Sequence, residues 1–100
     1  MSGPIDSPLV AKRVHYEGRV QGVGFRFSAK ELTTGYELLG WIKNLPDGRV
    51  EMVIQGAAAE VDGFLDAILN SHLRRYIKRF TVTDIPVSSE LKLQGFHICH

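Results

Sequence analysis

Two stretches of this chain hold residue types suited to acting on a phosphate. The first is Gly18-Arg19-Val20-Gln21-Gly22-Val23-Gly24-Phe25-Arg26, three glycines in seven residues with an arginine close behind. Glycines let the chain curl so that successive backbone N–H groups converge, and a helix starting there adds partial positive charge. Together these make an anion nest. Arg26 supplies a planar fork of donors matched to phosphate oxygens. The second is Asn44, whose carboxamide both donates and accepts hydrogen bonds and can therefore hold a water.

Neither stretch decides the chemistry alone. A tight strand-to-helix turn beside an exposed arginine needs the same glycines, and Asn44 ahead of Leu45-Pro46-Asp47-Gly48 is an ordinary way to begin a turn. Gly18 to Gly24 is not a nucleotide P-loop, because no Gly-Lys-Ser/Thr follows, and it lacks the dinucleotide spacing. No Ser/His/Asp or Cys/His arrangement can be assigned, and no carboxylate cluster has metal-ligand spacing. Neither a metal nor an organic cofactor is implied.

The elements around these residues follow from their periodicity. Val10, Val14 and Tyr16 share one parity, as in a half-buried strand. Phe25, Ala29 and Leu32 have helical spacing, and Gly35 is a natural stop. Leu39 to Lys43 and Val50 to Ile54 flank the Pro-Asp-Gly turn of a hairpin, with Trp41 expected in the core. Val61, Phe64, Leu65 and Ile68 mark a second helix between Ala57 and His72. Ile77 to Thr83 reads as a fourth strand, and Gly95 to Cys99 as a short C-terminal edge strand.

The order β-α-β-β-α-β is that of an α+β, ferredoxin-like sandwich: an antiparallel sheet with two helices on one face. In it, strands one and two run parallel with strand three between them. The glycine-rich turn and Asn44 then emerge at the same end, about 9–10 Å apart, a gap that fits a phosphate and a water.

The first stretch resembles the first signature of the acylphosphatase family, and Gly40-Trp41-Ile42-Lys43-Asn44 with Gly48, Val50 and Gly56 resembles the second. The resemblance runs from about Val10 to the C-terminus and implies the ferredoxin-like fold reached above. It further implies that Arg26 binds the phosphoryl group, that Asn44 orients the attacking water, and that backbone amides within Gly18, Arg19, Val20, Gln21, Gly22, Val23, Gly24 and Phe25 form the phosphate cradle. The implied substrates are acetyl phosphate, carbamoyl phosphate and the acyl phosphate of a glycolytic intermediate, with inorganic phosphate or sulfate as site ligands. Tyr16, where the family usually has an aliphatic residue, and Ile42, where a smaller one is usual, depart from the pattern and bear on packing.

Composition bounds the rest. The chain has 100 residues, enough for one domain with a moderate core, expected over 10–100 behind a loose tail at 1–9 rich in proline and serine. Twelve basic and eleven acidic residues leave a net charge of +1 and no long-range field for nucleic acid or an anionic membrane. The single Cys99 cannot form an internal disulfide, no apolar run reaches the ~18 residues of a membrane span, and the start lacks signal-peptide features. These features fit a cytoplasmic, monomeric protein.

The competing reading is a non-catalytic ferredoxin-like module that binds RNA or a small anion. Its support is the run Arg74-Arg75-Tyr76-Ile77-Lys78-Arg79-Phe80, which reads better as a helix end and a half-exposed strand. The string Val23-Gly24-Phe25-Arg26-Phe27 echoes an RNA-binding motif but opens a helix instead of lying on an inner strand. His15, His72, His97 and His100 are assigned no role.

Overall fold

The structure is a computed structural model that describes residues 8–90 and 95–100. Its strands are β1 (Leu9–Gly18), β2 (Leu39–Asn44), β3 (Val50–Ala57), β4 (Ile77–Ile85) and β5 (Phe96–Ile98), with helices α1 (Phe25–Leu32) and α2 (Ala58–Leu69). The sheet order is β4-β1-β3-β2-β5. β3 pairs antiparallel with both β1 and β2, and β4 pairs antiparallel with β1. The expected short C-terminal edge strand is β5, which lies parallel to β2 and makes the sheet mixed.

Strand alternation decides which side chains meet the helices. Val14 and Tyr16 of β1, Ile42 of β2, and Val50, Met52 and Ile54 of β3 are buried. They join Phe25 and Ala29 of α1 and Val61, Phe64 and Ile68 of α2 in one core. Trp41 falls on the other face, which corrects the expectation that it is core. Ile42 takes the helix side, so the two-residue period sends Trp41 to the open face, half-buried, with Lys43 Nζ 5.1 Å from its ring centroid. Phe80 and Val82 of β4 stand opposite Tyr16 and Val14 on the helix side, yet at this edge of the sheet they stay exposed.

Most of the expected tail lies outside the described residues, but its last two belong to the fold. Leu9 pairs with Ala57, and the Pro8 carbonyl accepts from the Ala58 N–H at 2.8 Å, which satisfies an orphan donor at the start of α2.

Gly40 lets β2 lie close to β3. Its φ is 145°, and a Cβ there would sit 1.9 Å from the Val53 carbonyl oxygen. Gly40→Ala is therefore expected to cost at least about 2–3 kcal/mol, lowering the melting temperature by roughly 10–20 °C. Gly48 is the control, because it also has positive φ but its Cβ would meet nothing within 4 Å. Circular dichroism melts of the two alanine variants should differ, and equal losses would show that the close approach is not what requires glycine at position 40.

Tyr16 links the core to the turn after β1. It is 1% exposed, with its ring centroid 5.2 Å from that of Phe25 and 6.3 Å from that of Phe80. The departure from an aliphatic residue is thus accommodated by an aromatic cluster. Burial raises the pKa of its phenol above the ordinary value of 10.0. The folded state then holds the proton more tightly than the unfolded chain, so stability is full below about pH 10. Above it, stability falls by about 1.4 kcal/mol per pH unit as the unfolded tyrosine ionises. Urea midpoints at pH 9 and 11.5 should show this component in the wild type and not in Tyr16→Phe. An identical alkaline loss in both would remove the burial argument.

Candidate active site

The loop between β1 and α1 is anchored from below. Val20 is buried and Val23 packs partly against the core. The Arg19 N–H donates to the Tyr76 carbonyl at 3.0 Å, which closes the base of the loop against the start of β4. Gly22 and Gly24 both adopt φ 78°, the left-handed region that glycine occupies at little cost. Gly24 is the N-cap of α1 and its carbonyl accepts from Ser28 at 2.9 Å. The N–H groups ahead of Ser28 have no carbonyl one turn back, as at any helix start. Among the described residues, no backbone acceptor engages the N–H groups of Val20 through Phe25.

A pocket of about 170 Å³ opens over this loop, lined by Val20, Gly22, Gly24, Phe25, Arg26, Phe27, Asn44, Ile98 and His100. It brings together Arg26, Asn44 and the two left-handed glycines. Gly18, Arg19, Gln21 and Val23, also expected in the cradle, do not line it. Gly18 continues the pairing with β4, and the Arg19 N–H is already spent on Tyr76. The lining residues include no Asp or Glu, so an arginine, a helix start and a carboxamide face the pocket with no acidic side chain beside them.

Arg26 stands in the first turn of α1, half-buried, and its Nη1 donates to the Cys99 carbonyl at 3.2 Å. That one bond orients the guanidinium and leaves most of its five donors for a ligand. The supporting carbonyl is itself held: the Cys99 N–H donates to the Ile42 carbonyl at 2.8 Å, and Lys30 Nζ donates to the Phe96 carbonyl at 2.9 Å.

Asn44 ends β2. Its Oδ1 is buried and, among the described residues, accepts no hydrogen bond. A buried acceptor without a donor costs about 1–3 kcal/mol, which a structural asparagine has no reason to carry. Asn44 lines the pocket, and rotation about χ2 exchanges the donor and acceptor ends of its amide.

Phe27, Ile98 and His100 were not foreseen as site residues. Phe27 is 60% exposed, a phenyl ring left at the pocket rim, and its helical position gives no sign of this. The other two arrive through β5. Its register sets Ile42 beside Ile98, so the parallel pairing carries position 100 level with Asn44. Only Phe96 and Ile98, apolar and in alternation, hinted at a strand there.

Fold and site together define a ferredoxin-like protein with an arginine-bearing pocket between a glycine-rich turn and the end of β2. The profile of the acylphosphatase family matches residues 12–98. The chain is 39% identical over 89 residues to an acylphosphatase of Bacillus subtilis (strain 168), covering 89% of this chain and 92% of that protein. It is 41% identical over 83 residues to an acylphosphatase of Geobacillus kaustophilus (strain HTA426), covering 81% and 88%. The crystal structure of acylphosphatase from Bacillus subtilis superposes with a TM-score of 0.80 at 31% identity, covering 91% of this chain and 99% of that one. This chain belongs to the acylphosphatase family, and its activity is that of the family, hydrolysis of acyl phosphates. The non-catalytic binding module is not favoured.

Proposed function

We propose that catalysis is direct in-line attack of a water held by Asn44 on a phosphoryl group bound by Arg26 and the amides of the loop before α1. The water oxygen forms the new bond to phosphorus while the bond from phosphorus to the acyl oxygen breaks. The electron pair leaves with the carboxylate, and the water proton passes to a phosphate oxygen. A carboxylate of conjugate-acid pKa about 4 needs no strong general acid to leave. Phosphoryl transfer otherwise depends on positioning and charge stabilisation, which this pocket offers.

The observation that carries this reading is the convergence of Arg26, Asn44, Gly22 and Gly24, from three different elements, on one pocket without acidic side chains. Acetyl phosphate, carbamoyl phosphate and the acyl phosphate of a glycolytic intermediate all present the phosphoryl dianion that such a site selects. Inorganic phosphate or sulfate would occupy it as product or mimic. A monomer working in the cytoplasm suits this chemistry. Among the described residues no helix is long and apolar enough to cross a membrane.

The test is release of carboxylate and phosphate from acetyl phosphate and benzoyl phosphate in the presence of EDTA. Turnover of both, inhibited competitively by inorganic phosphate, is expected. A folded protein that binds phosphate but releases no carboxylate would overturn the mechanism.

A further inference from the structure

The phosphoryl cradle follows β1 and Asn44 ends β2, two strands that do not touch because β3 lies between them. Their spacing must be set at the loops. Gln21, half-buried in the loop after β1, reaches across with its side chain: Nε2 donates to the Leu45 carbonyl at 2.8 Å and to the Arg49 carbonyl at 2.9 Å. Both hydrogens of the amide are thereby used. The two carbonyls are those that close the turn following Asn44. The Leu45 N–H donates to the Arg49 carbonyl at 2.8 Å, and the Gly48 N–H to the Leu45 carbonyl at 3.2 Å. Leu45 is the next residue after Asn44, so Gln21 pins the peptide that carries it.

We propose that the Gln21 side chain is a positioning residue that fixes Asn44, and so the attacking water, relative to the phosphoryl cradle. It does not line the pocket and touches no reacting atom. The inference rests on the reading of Asn44 as the water-holding group. Its physical basis is that attack requires the nucleophile within a narrow range of distance and angle, and a displacement of about 1 Å lowers the rate roughly 100-fold. A hairpin loop held only by its own turn bonds leaves that distance loose. A doubly bonded carboxamide restrains it against a loop that is anchored to the core by Val20.

The test compares wild type, Gln21→Met, Asn44→Ala and the double variant for acetyl phosphate hydrolysis, with inorganic phosphate inhibition read in parallel. Gln21→Met keeps the length and removes both donors. It is expected to lower kcat about 10–100-fold while the phosphate inhibition constant stays within about threefold, because Arg26 and the cradle amides are untouched. The double variant is expected to be no slower than Asn44→Ala alone, since a misplaced Asn44 and an absent one are equivalent.

Full activity in Gln21→Met would overturn the proposal. So would losses that multiply in the double variant, or phosphate binding that weakens in step with kcat, since Gln21 would then act through the cradle. Full activity in Asn44→Ala would instead remove the reading of Asn44 on which the inference rests. Gln21→Glu serves if the methionine variant does not fold. As a carboxylate it has no donor to offer the two carbonyls, and below about pH 4.3 it regains one O–H. Its activity relative to wild type should rise severalfold from pH 7 to pH 4, and a flat ratio would count against the proposal.

Discussion

Arg26→Ala is expected to lower kcat/KM for an acyl phosphate by roughly 10³-fold or more, with the fold retained. Arginines that face a transferring phosphoryl group contribute on that scale, because they meet charge that spreads over its oxygens in the transition state. Retention of the fold follows from the local contacts. Arg26 is half-buried and makes one side-chain hydrogen bond, to the Cys99 carbonyl, whereas the core residue beside it is Phe25. The inhibition constant of inorganic phosphate should weaken with the rate, since in the proposed mechanism the same guanidinium binds ground state and product. Arg26→Lys should recover little, because an ammonium cannot span two phosphate oxygens in a plane. Initial rates in EDTA, with circular dichroism to confirm folding, decide the matter. Activity within tenfold of wild type in the folded alanine variant would show that the backbone cradle alone binds the phosphoryl group.

Asn44→Ala carries a different signature. Its kcat is expected to fall by roughly 10²–10³-fold while KM and phosphate inhibition change little, because in the proposed mechanism the lost group acts on the water and not on the bound phosphate. Stability should not fall with it. The Asn44 Oδ1 has no partner among the described residues, so truncation removes an unsatisfied buried acceptor instead of a bond. An active Asn44→Ala would transfer the water-holding role to another group of the pocket, with His100 the next polar side chain on its wall.

Much of this site is legible one segment at a time. Gly22 and Gly24 stand where the chain needs left-handed φ, and Phe25 is where the helical spacing starts. Asn44 ends a strand ahead of a Pro-Asp-Gly turn. Each of these depends on steric and hydrogen-bonding preferences that act over a few residues, so the residue types themselves report them. The alternation of Val14 and Tyr16 likewise reports their shared face, and the apolar positions of α2 report its buried side. Trp41 shows the limit of reading by residue type. Its size suggested the core, yet the parity of its neighbours Gly40 and Ile42 had already assigned the helix face to other positions.

From its amino-acid order alone, this chain determined the glycine-rich turn, the arginine that follows it and the order of strands and helices that places Asn44 at the same end. Tertiary structure alone decided that β5 joins β2 in parallel and delivers Ile98 and His100 to the pocket, and that Arg26 leans on the Cys99 carbonyl. It also decided that Gln21 spends both amide hydrogens on the opposite loop, while the Arg19 N–H is taken by Tyr76 and withdrawn from the cradle. The physical reason is common to all four. The acceptors are backbone carbonyls or strand edges, which every residue presents alike, so no side chain announces which of them a distant donor will meet.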